Sequence, residues 1–80
     1  MSKEYYRKKI IDLRRYIADE KEAKKRDNEN YANLIKGAST PYTKATYRKS
    51  KIDRAAYHDS RIESWKNEIE RAKESLKREK

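Results

Sequence analysis

The segment Tyr42-Thr43-Lys44-Ala45-Thr46-Tyr47-Arg48-Lys49-Ser50-Lys51 interleaves bases with rings and hydroxyls. On a helix, Lys44, Arg48 and Lys51 share one face at 4-3 spacing, with Arg54 close by and Lys36 just upstream. Cations so spaced can follow a phosphate backbone, while tyrosine and threonine can hydrogen-bond phosphate or stack on exposed bases. The candidate binding residues are therefore Lys36, Tyr42, Lys44, Tyr47, Arg48, Lys49, Lys51 and Arg54, and the ligand they suit is nucleic acid or an acidic protein surface. The plainer reading is that these bases solubilise an exposed helix or pair with acids on a partner. No zinc-finger spacing and no helix-turn-helix signal accompanies them, so nucleic-acid binding would be non-specific or directed at shape.

Catalytic chemistry has little to stand on. His58 is the single histidine and cysteine is absent. A histidine on a helix, opposite Glu20 in the arrangement derived below, is most simply a partly buried ring hydrogen-bonded to a carboxylate. Asp59 and Glu63 lie nearby, but one histidine with scattered carboxylates is a weak metal site. The serines come without an elbow motif, and a single glycine excludes a conventional phosphate loop. The sequence predicts no enzyme, no catalytic residues, no cofactor and no metal.

These groups must be positioned by helices. The only glycine and the only proline, Gly37 and Pro41, sit at the midpoint of 80 residues otherwise rich in helix formers. Gly is favoured just past a helix C-terminus and Pro as a first helical residue, with Thr40 as N-cap. The reading is one domain over 1–80: helix 2–36, turn 37–40, helix 41–78. In the first helix Tyr6, Ile10, Leu13 and Ile17 follow 4-3-4 spacing, and the same phase meets Glu20, Lys24 and Asp27 before Tyr31, Leu34 and Ala38. The second helix carries Ile62, Trp65, Ile69, Ala72 and Leu76 at 3-4-3-4 spacing, with Ala45, Ile52, Ala55 and Ala56 nearer the turn. Asp27-Asn28-Glu29-Asn30 is poor helix-forming sequence, so a break there is expected as an alternative.

The fold class that follows is all-α, an antiparallel, coiled-coil-like two-helix hairpin. Residues whose numbers sum to about 78 should lie opposite each other across a short helix–helix connection. That register puts Leu13 against Trp65, Ile10 and Ile17 against Ile69 and Ile62, and Tyr6 against Ala72. The candidate helix–helix core is Tyr6, Ile10, Leu13, Ile17, Ile62, Trp65, Ile69 and Leu76. Tyr5, Tyr16, Tyr42 and Tyr57 fall beside the seam, where they suit the rim of a contact surface.

Only 34% of residues are hydrophobic and 46% are charged, so the core is small and self-association, or folding on a partner, is expected. Disorder is the competing reading of this composition, and the helical patterning opposes it. The net charge of +9 is uneven: +4 over residues 1–15, −1 over 16–35, +5 over 36–54 and +1 over 55–80. Without cysteine, signal peptide or spanning segment, a soluble intracellular (cytoplasmic) protein is expected, or one carried within a virus-infected cell.

A hairpin with a central turn resembles the WXG100-type secretion proteins in architecture. The turn here reads Leu34-Ile35-Lys36-Gly37 with the tryptophan distant at Trp65, and no C-terminal Tyr-x-x-x-Asp follows. The resemblance implies shape alone, and no family is assigned. The expected function is a small basic binding protein that engages nucleic acid, or a nucleic-acid-handling complex, at the hairpin turn. The alternative is a structural or adaptor protein assembling with itself or a larger partner. A viral or mobile-element accessory protein or inhibitor would be compatible with either.

Overall fold

The computed structural model describes residues 2–79; Met1 and Lys80, the outermost residues of the 1–80 domain, lie outside it. Two long helices, α1 (Lys3–Gly37) and α2 (Pro41–Arg78), pack antiparallel along their lengths. The result is a rod of 62 × 14 × 11 Å with a radius of gyration of 18.2 Å. A compact domain of this length would have a radius of about 12 Å. Elongation leaves only one apolar seam to hold the molecule together.

Each helix begins at a side-chain cap. Ser2 accepts from the Tyr5 amide in α1, and Glu4 sits in the first turn, where the helix dipole favours an acid. Thr40 does the same for Thr43 in α2 at 3.1 Å, with Pro41 in the first turn, where its missing N–H costs no hydrogen bond. Lys77 and Arg78 close α2 with the charge its C-terminal carbonyls prefer.

Gly37 behaves differently from the sequence expectation. It is the last residue of α1 and has no left-handed backbone; the chain instead leaves the helix at Ala38, whose ψ of 132° is extended. The turn is thus Ala38, Ser39 and Thr40, and Pro41 keeps Thr40, the residue before it, out of helical geometry, so that α1 cannot run on into α2. A Cβ at Gly37 would meet nothing within 4 Å. Gly37→Ala should therefore raise stability by about 0.5–1 kcal/mol, read as a higher midpoint in urea melts. A lower midpoint would contradict this account of the turn.

α1 runs unbroken through Asp27-Asn28-Glu29-Asn30, so the alternative with a break at 27–30 is corrected. The propensity cost of such residues is a few tenths of a kcal/mol each. Asp27 offsets it by bonding across to α2, as described below.

The buried core is Ile10, Leu13, Ile17, Ile62, Ile69 and Ala72, with Tyr6, Trp65 and Leu76 packed against it half-buried. All of it lies in the half of the rod remote from the turn. Cross-helix partners have numbers that sum to between 78 (Glu20 with His58) and 85 (Asp27 with His58), most often 81. The excess over the expected register has a geometric cause. Helical side chains lean toward their own N-terminus, so in an antiparallel pair each reaches a spot beside a lower-numbered position. Side chains leaning in this way meet about one residue later on each helix than a sum of 78 would give.

Near the turn the seam changes phase. Ile35 is half-buried while Leu34 is exposed, and Ile52 is 68% exposed. A straight helix drifts roughly 20° per heptad against a strict seven-residue repeat. Four heptads from Tyr6, that drift carries Leu34 off the seam and brings Ile35 onto it.

Candidate functional site

The polar middle of the rod is organised around His58, only 3% exposed. It sits on α2 one step ahead of Ile62 and projects between Glu20 and Asp27, two α1 acids spaced one heptad apart. Its Nδ1 meets Glu20 Oε2 and its Nε2 meets Asp27 Oδ2. A neutral imidazole has one N–H and one lone pair, so one of these carboxylates would face a lone pair. Only the imidazolium can donate to both. The geometry therefore holds His58 protonated, and its pKa is raised from 6.5 by the bonds to Asp27 and then Glu20, against the opposing effect of burial.

Both acids have a second cation. Arg61 Nε donates to Glu20 Oε1 at 3.0 Å, and Arg54 Nε donates to Asp27 Oδ2 at 3.1 Å. The hydrogen bond from His58 is the main cause that lowers the pKa of each acid, with the arginines adding to it. The hydrogen bond that Arg61 itself donates to Glu20 raises the pKa of Arg61. Arg54 and Arg61 also lie over the Tyr57 ring at 5.1 and 5.5 Å, and Arg61 over Trp65 at 4.9 Å. Sequence spacing identified Glu20 as the partner of His58. Asp27 was missed, although its i+7 relation to Glu20 is legible once His58 is placed on the seam. Asp59 and Glu63 do not join the histidine; Asp59 instead takes Lys24 at 2.7 Å.

The sequence-derived binding residues divide. Arg54 is drawn into the internal network and does not stand with the others. Among the described residues, Lys36, Lys44, Arg48, Lys49 and Lys51 make no ion pair. Arg48 and Lys51 border a shallow groove with Asn28, Ile35, Ile52 and Ala55 on one flank of the hairpin. Tyr47 lies in a different groove, with Asn33, Leu34 and Thr43, and Tyr42 is 82% exposed at the start of α2. The turn end is thus a set of uncompensated cations, with Tyr47 apart from Arg48 and Lys51.

A second flank gathers rings. Tyr5, Tyr16 and Trp65 line a groove with Lys8, Asp12 and Glu68, and Tyr16 packs on Trp65 with centroids 5.7 Å apart. Among the described residues, no helix is long and apolar enough to cross a membrane. Comparison with protein families, curated proteins and solved structures gives no match for this chain.

Proposed function

We propose that this hairpin is a small non-enzymatic binding protein that engages nucleic acid, or a nucleic-acid-handling complex, through the cations of its turn end. The observation that carries this reading is the contrast between two sets of bases. Arg54 and Arg61 are neutralised within the fold, whereas Lys36, Lys44, Arg48, Lys49 and Lys51 have no carboxylate partner among the described residues. Such cations gain by displacing counterions from a polyphosphate, and the gain falls with salt.

Gel-shift titrations at several salt concentrations test it. The affinity should fall linearly with log salt, and reversing Arg48 and Lys51 to glutamate should weaken binding and flatten the slope by about two. Failure to retard either DNA or RNA at low salt would sink the reading.

The aromatic flank supports a second reading, an adaptor that assembles with itself or a larger protein. Tyr5, Tyr16 and Tyr57 are exposed beside Trp65, and tyrosine and tryptophan are favoured anchors at interfaces. Sedimentation over a concentration series separates this from the first reading: a strictly monomeric chain would count against self-assembly.

A further inference from the structure

Arg7, Arg14 and Lys21 occupy one heptad line that continues through Asn28 and Ile35. Asn28 and Ile35 border the groove that also holds Arg48 and Ile52. From Ile35 back to Arg7 the line winds outward by roughly 20° per heptad, so Lys21 lies nearest the groove and Arg7 farthest toward the outer face of α1. Like Arg48, each of these three bases is exposed, and none has an ion-pair partner among the described residues. Four α1 acids lie on the other side, where Lys8 and Lys9 also stand: Asp12, Asp19 and Glu20 border the grooves of Tyr16 and Trp65, and Asp27 is held by His58 and Arg54. Folding thus leaves the line of Arg7, Arg14 and Lys21 without acid partners among the described residues, while the aromatic flank carries charge of both signs.

We propose that the basic flank, from Arg7 through Arg14 and Lys21 to Arg48, is a docking surface for the phosphate backbone of double-stranded DNA. The inference rests on the nucleic-acid reading above and extends it from the tip to the length of the rod. At a rise of about 1.5 Å per residue, Arg7, Arg14 and Lys21 stand ~10 Å apart over roughly 20 Å, and Arg48, beyond the uncharged Asn28, extends the surface to about one turn of B-form duplex. Single strands are the poorer ligand because they are held by stacking on rings, and Tyr16, Trp65 and Tyr57 lie on the opposite flank. Duplex RNA is also poorer, because its recognition draws on contacts to ribose 2′-hydroxyls, and this line offers charge with little neutral hydrogen-bonding capacity. Binding is by charge and spacing, without base readout.

Two isomeric variants test this directly. R14Q/K21Q and R15Q/R26Q each remove two α1 cations, but Arg15 and Arg26 lie off the flank. Both pairs are exposed and outside the core, so circular dichroism should show unchanged helicity. With a 30-base-pair DNA duplex, R14Q/K21Q should bind roughly tenfold or more weakly at 0.1 M salt, with a salt slope smaller by about two. R15Q/R26Q should keep nearly the full slope. Equal losses in the two variants would overturn the flank, as would tighter binding to single-stranded DNA of the same length; equal affinity for an RNA duplex would overturn the assignment to DNA. If the unaltered chain retards no nucleic acid, the binding reading itself fails. If it binds, and only R48E/K51E weakens it, the tip stands and the flank falls.

Discussion

Leu13→Ala should cost about 2–5 kcal/mol and lower the urea midpoint of the hairpin steeply. Leu13 is 4% exposed, at the centre of a core with only six buried hydrophobic residues. Truncating a buried leucine loses its transfer energy and leaves a cavity that a well-packed surround fills only in part. Domains of this size have total stabilities of only about 4–12 kcal/mol, so the loss takes a large share. A matched control is Ile11→Ala: Ile11 neighbours the seam but is 64% exposed, and its truncation should change stability by less than about 0.5 kcal/mol. Urea melts followed by helicity measure both. If the two variants melted alike, the seam would not be what holds the rod.

Stability should also fall as pH rises through neutrality, the reverse of what simple charge repulsion in a basic protein predicts. With its pKa raised in the folded state, the contribution of His58 is fully present below its unfolded value near 6.5. It is lost as pH rises through the folded value. Glu20 and Asp27 are lowered in the fold, so their contribution is present above the unfolded values of 4.5 and 3.8 and lost as pH falls through the folded ones. The window of greatest stability therefore lies between about pH 4.5 and 6.5. Thermal melts from pH 4 to 9 should peak there, and His58→Gln should flatten the alkaline side. Proton NMR of the imidazole should report a midpoint above 6.5. A midpoint at or below that value would remove the two-carboxylate account.

Much of the fold was legible because local signals agreed. Thr40-Pro41 marked the start of α2, and two independent 3-4 seams, around Leu13 and around Trp65, put the core at the same end of the rod. The parts that were not legible have physical causes. Asp27 to Asn30 reads as a helix breaker by propensity, and only its cross-helix partners reveal why the helix continues. The switch from Leu34 to Ile35 reflects accumulated helical phase, which a local window does not register. Tyr47 carried no sign of which side it would take, and Arg54 looked like one more free cation until Asp27 was seen to hold it. That Arg7, Arg14 and Lys21 lie apart from the aromatic groove was open to sequence reading only once the inward face of each helix was known.

The clamp on His58 has a consequence for sliding. The isoleucines and leucine of the seam recur at similar spacing, so a shift of α2 by one heptad along α1 would still find apolar neighbours for many of them. The histidine would not be so accommodated. Seven residues before Glu20 stands Leu13, and about a heptad beyond Asp27 the seam carries Ile35. Either displacement would press one edge of a charged ring against an aliphatic side chain and strand one carboxylate without it, the kind of loss that makes a buried polar group select one alignment. The ring works as a detent: it lets the two helices come to rest at one mark on a track that is otherwise nearly smooth.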